Sequence, residues 1–349
     1  MLGSKQLNVL LRMPIRIETN WNRHIYVWFI CVFLCYTRFN TKDNIMDLVI
    51  IIPIYNPDKK FFSLLKKIDI QTCKKLRVLI IDSGNASDED ICFNRRVNTT
   101  IKRIDSRNFN HGGTRQMGME MFPNADVYVF LTQDAVLRDE FAIERLVKAF
   151  DDETVGCAYG RQLPHGDASF FASIARNTNY PAESNVRSFE DRGQYGMKTA
   201  FISNSFAAYR KSAMQQVGGF PTNTILSEDM CVAARMLMSG WKVAYVADAC
   251  VYHSHNYTIW QEFKRYFDIG VFHAREKWIR DTFGQAEGAG IAFVKMEIHA
   301  ILKKNPLLLF EMVARDSMKF IGYRLGLHED MLSNGVKRYI SMTHRYWSK

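Results

Sequence analysis

Apolar residues fall along the chain in short runs separated by polar punctuation. Residues 48–52 read Leu-Val-Ile-Ile-Ile and stop at Pro53. A run so short and so rich in β-branched residues predicts a strand buried on both faces, the kind found inside a parallel sheet. The period changes over residues 61–69, where Phe62, Leu65 and Ile68 recur at helical spacing. Further strands are predicted at 76–81, 101–104 and 126–131, and helices at 113–122 and 141–150. Strands alternating with helices predict an α/β domain whose central sheet is mostly parallel and flanked by helices. After residue 150 the pattern weakens. Residues 203–209 and 241–246 read as strands, and 227–239 and 259–272 as helices. The remainder carries helical patterns separated by Pro306 and Gly322, a C-terminal helical appendage.

The predicted strands end at polar residues: Tyr55 and Asn56, Asp82, and Asp134. In open α/β sheets ligands bind at the carboxyl ends of strands, so these are the first candidates for a site. No G-x-G-x-x-G follows the first strand and no G-x-x-x-x-G-K-[ST] occurs, which disfavours dinucleotide and P-loop folds.

At 349 residues and 47% hydrophobic content, the chain can build one large domain with an appendage. The expected organisation is an N-terminal extension (1–45), a catalytic domain (46–280) and a helical region (281–349). Formal net charge is +10, which suits an anionic partner: nucleic acid, acidic lipid or a phosphorylated substrate. No nucleic-acid motif is present, so nucleic acid is not expected as a partner. The seven cysteines are scattered and form no C-x-x-C pair, which reads as reduced thiols in the cytoplasm. No stretch reaches the ~20 apolar residues of a spanning helix. The nearest is 25–36, following Arg12, Arg16 and Arg23 without a small-residue cleavage site. Residues 1–45 read either as an upstream extension from a mis-chosen start or as an interfacial anchor.

The motifs come in a recognisable order. The opening strand closes with Pro53-Ile54-Tyr55-Asn56, and the second with Asp82-Ser83-Gly84. Next come Asn108-Phe109-Asn110-His111-Gly112-Gly113-Thr114-Arg115, then Thr132-Gln133-Asp134, Ser227-Glu228-Asp229 and Gln261-Glu262-Phe263-Lys264-Arg265. Over about residues 48–275 this order resembles the GT-A glycosyltransferases of family 2, and within them the bacterial rhamnosyltransferases of surface polysaccharide assembly. Gly160-Arg161-Gln162-Leu163-Pro164, Asn179-Tyr180-Pro181 and Ser254-His255-Asn256-Tyr257-Thr258 are similar to signatures of that subgroup.

The resemblance implies roles. Pro53, Tyr55, Asn56 and Asp82 would face the base and ribose of a nucleotide-diphosphate sugar. Asn108, His111, Gly112 and Arg115 would form a nucleotide-binding loop, its glycine letting backbone N–H groups approach the ligand. Thr132-Gln133-Asp134 stands where the family has D-x-D, so Gln133 would border the donor and Asp134 would be the one remaining acid for Mg²⁺ or Mn²⁺. One carboxylate suffices only with help from phosphate and another ligand, and His253 is the expected partner. His255 reads equally as packing against Tyr257. Asp229 would be the base of an inverting transfer, with Glu228 orienting the acceptor or the loop. Arg265 would hold the diphosphate bidentately.

The expected activity is metal-dependent transfer of L-rhamnose from dTDP-L-rhamnose to a saccharide acceptor, polyprenyl-linked in such pathways. A hexose donor is the alternative sugar, and a non-catalytic membrane-docking or assembly protein the alternative class. Lys303, Lys304, Arg315, Lys319 and Arg324 lie among apolar residues in helical patterns. They predict either peripheral contact with an anionic membrane, on the inner face of the cell membrane, or packing on the catalytic domain or a dimer contact.

Overall fold

In the computed structural model, which describes residues 46–92, 95–284 and 287–348, the first apolar run forms strand β1 (Leu48–Ile54). Ile50 and Ile52 face one core, with Phe61, Leu64 and Ile68 of helix α1 (Lys59–Ile68). Val49 and Ile51 face a second core on the other side of the sheet. A strand between two cores has no wet face, which is why its sequence does not alternate. The extension or anchor read at 1–45 lies outside the described residues.

β1 pairs in parallel with β2 (Leu76–Asp82) on one side and β4 (Val127–Leu131) on the other, and β2 pairs in parallel with β3 (Asn98–Arg103). Helix α2 (His111–Glu120) leads from β3 towards β4. Beyond β4 the sheet is mixed. β8 (Phe206–Arg210) lies antiparallel between β4 and β6 (Val155–Leu163), and β6 is parallel to β9 (Lys242–Tyr252). The short β5 (Val136–Leu137) and β7 (Asn185–Arg187) both pair antiparallel with β9. The order is β3-β2-β1-β4-β8-β6-β9-β5, with β7 on β9. The parallel character expected from the sequence therefore belongs to the β3-β2-β1-β4 half and to the β6–β9 pair.

Helices α3 (Ala142–Val147), α4 (Phe170–Asn179), α5 (Glu228–Met238), α6 (Ile259–Arg275), α7 (Glu287–Lys304), α8 (Leu308–Leu327) and α9 (Asn334–Ile340) complete the elements used below. Two features escaped the periodicity. β6 reads Val-Gly-Cys-Ala-Tyr-Gly-Arg-Gln-Leu, and its glycines and polar end disguise an interior strand. β9 runs six residues past its predicted end, because the register skips from Val246 to Cys250 opposite Gly160 and Arg161. Such a bulge breaks the alternation that would reveal the strand.

Residues 46–349 form one compact unit. Pro306 separates α7 from α8, as the sequence suggests. Gly322 does not separate anything: it lies inside α8, where the helix crosses α6. A Cβ on Gly322 would stand 2.4 Å from the Phe263 carbonyl oxygen, and one on Gly326 would stand 2.1 Å from the Phe267 oxygen and 2.8 Å from Gly270 Cα. The obstacles are backbone and cannot rotate away. Gly326→Ala is therefore expected to force the helices apart and cost about 1–3 kcal/mol, read as a lower urea midpoint. An unchanged midpoint would show that the crossing is loose.

Arg315 and Lys319 follow the packing alternative. They turn inward from α8 to Glu262 on α6, with Glu311 and Asp316 as further partners, and form no part of an outer basic face. The segment after α9 folds back on α6, where the buried Asp268 carboxylate accepts from Met342 N, Thr343 N and Thr343 Oγ1. Among the described residues no helix is long and apolar enough to cross a membrane.

Candidate active site

Two strand ends bring the first group together. Asp134 follows β4 and precedes β5, and His253 follows β9. Because Val136 pairs with Tyr252, the acid and the imidazole become neighbours. His253 Nε2 lies 3.4 Å from Asp134 Oδ2, and His255 Nδ1 lies 3.7 Å from the same oxygen. The three side chains present ligand atoms all within 4.8 Å of one another. His255 also stacks on Tyr257, ring centres 5.1 Å apart. The packing reading of His255 holds, and the stack orients a ring that faces Asp134.

The chemistry of this group favours a cation. Gln162 donates from Nε2 to Ser203 Oγ, and Arg176 donates to Gln162 Oε1, so the amide oxygen faces His253. His253 Nδ1 sits 2.8 Å from that oxygen and must carry the proton there. Nε2 then keeps its lone pair and points at a carboxylate. Two acceptors this close need a proton or a metal ion between them, and a histidine held through its other nitrogen is the usual form of a metal ligand. Burial pushes the Asp134 carboxyl up, but the facing imidazoles of His253 and His255 outweigh it and hold the group well below the usual carboxylate range. His255 is pushed down to about 4 by burial and by His253, so its nitrogen is free to ligate at neutral pH.

A second group lies at the start of α5. Ser227 takes a left-handed conformation, φ +56°, which turns the backbone sharply into the helix. Such strain in a non-glycine residue is commonest at functional sites. Glu228 is buried, paired with Arg115 Nη1 at 2.9 Å, and accepts from Asn204 Nδ2 at 2.9 Å. Tyr209 Oη, donating to Asn204 Oδ1, fixes that amide. Asp229 accepts only two backbone N–H groups, from Asn204 and its own neighbour Met230. Burial and the charge of Glu228 push the Asp229 carboxyl up to about 6. Burial pushes Glu228 up as well, but Arg115 and His111 overcome it and leave Glu228 below its ordinary value. One acid is locked and the other is poised, a division of labour typical of acid–base sites. His111 is pushed down to about 4 by burial, reinforced by Arg115 and Arg265.

Both groups line one cavity of about 440 Å³, with His111, Arg115 and Arg265. Through His111, Arg115 and Thr132 it joins a cleft of about 720 Å³ bounded by Pro53, Tyr55 and Gln133. Tyr55 is half exposed there. Gln133 accepts from Tyr55 N at 2.8 Å and donates to Tyr55 O, so it fixes the aromatic residue through its backbone. The opposite wall was not foreseen. Met342 to Tyr346 line the cleft, with the Arg345 guanidinium 5.7 Å from the Tyr55 ring centre. Arg265 forms no ion pair with any described residue. Gln261, four residues before it on the same helix, is used in the capping box of α6 with Thr258.

Five expected nucleotide contacts turn out differently. Asp82 is fully buried, and its oxygens already accept from Gly84 N, Ala86 N and Arg103 Nη1. It shapes the loop after β2 and does not line the cleft, whereas Ser83 does. Gly112 allows a close approach, but to Pro221: a Cβ would stand 1.8 Å from that carbonyl oxygen. Arg115 is buried and committed to Glu228. Asn56, in a left-handed conformation at φ +44°, packs beside Gly84, and Asn108 is exposed. Neither borders the cleft.

A parallel half-sheet ending in a nucleotide-sized cleft, with one acid among histidines and a poised carboxylate beyond it, defines a glycosyltransferase of the GT-A type. Residues 128–323 match the glycosyl transferase family group 2, and the chain belongs to that family. It is 46% identical over 303 residues to the O-antigen chain rhamnosyltransferase RfbN of Salmonella typhimurium, covering 87% of this chain and 96% of that one. It is 44% identical over 306 residues to the O-antigen chain rhamnosyltransferase WbaN of Salmonella anatum, covering 86% and 96%. Its fold is similar to that of a mannosyltransferase from Pyrobaculum calidifontis solved with GDP-Man and Mn²⁺, at a TM-score of 0.52 and 17% identity, over 91% of this chain and 92% of that one. It is also similar to residues 1–349 of Staphylococcus aureus TarS, at a TM-score of 0.52 and 11% identity, over 87% and 90%. The family and fold expected from the sequence are thereby borne out, and the non-catalytic reading is set aside.

Proposed function

We propose that the chain transfers L-rhamnose from dTDP-L-rhamnose, with inversion, to a saccharide acceptor linked to a polyprenyl carrier. The observation that carries the chemistry is the single cavity holding Asp229, poised near 6, and the Asp134–His253–His255 group. The sugar is inferred from the two rhamnosyltransferase relatives.

In this reading the donor base lies between Tyr55 and Arg345, and the sugar diphosphate extends past His111 and Thr132 into the inner cavity. Asp134, His253 and His255 would hold Mg²⁺ or Mn²⁺, with Mn²⁺ favoured by the imidazoles. A bound divalent ion there would neutralise charge on the diphosphate leaving group. Arg265 supplies a second, bidentate neutralising contact. Asp229 Oδ takes the proton of the acceptor hydroxyl as that oxygen attacks the anomeric carbon from the face opposite the diphosphate. Glu228, fixed by Arg115 and Asn204, keeps the start of α5 in place and raises the basicity of its neighbour. A donor screen with purified protein and Mn²⁺ tests the reading. The expected result is hydrolysis of dTDP-L-rhamnose in preference to UDP-hexoses, and a preference for a hexose donor would overturn the sugar assignment.

The proposed location is cytoplasmic, on the inner face of the cell membrane, where α8 supports peripheral contact. Its outward positions Phe310, Val313, Phe320, Ile321 and Leu325 form an exposed apolar stripe, Phe310 being 80% exposed. Lys303, just before α8, and Arg324 within it are exposed and form no ion pair with described residues. Apolar side chains accompanied by exposed cations suit an anionic bilayer. The protein is expected to sediment with vesicles containing phosphatidylglycerol, less so at high salt. Equal recovery with neutral vesicles would remove the electrostatic part of the reading.

A further inference from the structure

A cavity of about 580 Å³ lies between α4, α6, α7 and α8. It shares no lining residue with the donor cleft, but it opens into the catalytic cavity, because Arg176, Asn179, His255, Tyr257 and Arg265 line both. Its wall joins two chemical characters. One is cationic. Arg315 and Lys319 are neutralised by Glu262, Glu311 and Asp316, but the other cations are not. Lys198 is exposed and forms no ion pair with any described residue. Arg176 gives a hydrogen bond only to the neutral amide of Gln162, and its Nε is buried without a partner. A buried donor without an acceptor is costly, so the site is incomplete until an anion arrives. The other character is apolar: Phe171, Ile269, Phe293 and Met296. The helix that closes this side, α8, carries the exposed stripe of Phe310, Val313, Phe320 and Ile321 on its outside.

We propose that this cavity is the acceptor-side subsite for the phosphate of a lipid phosphate. The phosphate is held by Arg176 and Lys198, and the first carbons of the tail lie against Phe171, Phe293 and Met296. Arg265, at the junction, stays with the donor diphosphate. The inference rests on reading the other cleft as the donor site, since that assignment leaves this cavity to the second substrate. It adds where the carrier is gripped and by which residues, and it explains why a cationic chamber and an apolar outer face share one helix. Placing the phosphate beside the catalytic cavity also confines the reacting hydroxyl to the sugars next to the carrier.

The test is calorimetric titration of the full chain with geranyl diphosphate, in the presence of saturating dTDP and Mg²⁺. The expected result is one site per chain, with geraniol and inorganic diphosphate each at least about tenfold weaker. Lys198→Glu is expected to weaken geranyl diphosphate about tenfold by adding a repelling charge. Ala175→Phe, which fills the chamber without changing charge, is expected to weaken it at least as much, with dTDP affinity retained. Binding only in the absence of dTDP would place the probe in the donor cleft and overturn the proposal. Geraniol or inorganic diphosphate binding equally well would do the same, as would indifference to both substitutions. Failure of dTDP itself to bind would count against the donor reading alone, because the geranyl diphosphate titration and the two variants are read independently of it.

Discussion

Asp229→Asn is expected to abolish sugar transfer while leaving nucleotide affinity nearly unchanged. The amide has the shape of the acid but cannot take a proton, and a positioned base contributes about 10²–10⁴-fold. The side chain accepts only two backbone N–H groups, so little of the fold depends on its charge. The pH profile gives an independent check. In the proposed mechanism Asp229 works as the anion, and its carboxyl is pushed up to about 6 by burial and Glu228. Transfer by the wild type should therefore fall about tenfold per unit as pH drops below about 6, and level off above it. A wild-type rate in the Asn variant, or an acid limb near 4, would move the base elsewhere.

Asp134→Ala should have the second large effect. It removes the single carboxylate of the candidate metal group and leaves only the two imidazoles to hold an ion. Divalent ions of this class bind through oxygen ligands, and their loss costs several kcal/mol of charge stabilisation at the leaving diphosphate. At least a ~10²-fold fall in transfer is expected, with Mn²⁺ binding lost in a calorimetric titration. Unchanged Mn²⁺ affinity would mean that the ion is held elsewhere.

Much of this site could be read from strand ends. Asp134 and His253 follow strands, and the acid pair opens a helix, so local pattern places each of them. What pattern could not supply is direction. Asp82 also follows a strand, yet the loop after it folds back and Arg103 takes its carboxylate inward. Gly112 signals a close approach without saying to what, and the partner is Pro221. Gln162 was visible only as part of a resemblance; its role as the partner of His253 Nδ1 depends on β6 and β9 lying side by side. Gly322 looked like punctuation because a helical glycine usually weakens a helix. Here the absent side chain is what lets α8 touch α6.

The residues that face Tyr55 across the donor cleft carry one more consequence. Arg345 donates to the carbonyl of Ser106, 239 positions earlier, and the same segment is pinned to α6 through Asp268. A wall built from such distant parts of the chain closes only when those parts have been brought together, at a cost in loop-closure entropy. The parallel half of the sheet pairs segments within residues 48–131 and does not include this wall. A nucleotide would then select for molecules that have completed this closure and would slow its reopening. Donor binding would serve as a signal of finished folding as well as the first step of turnover.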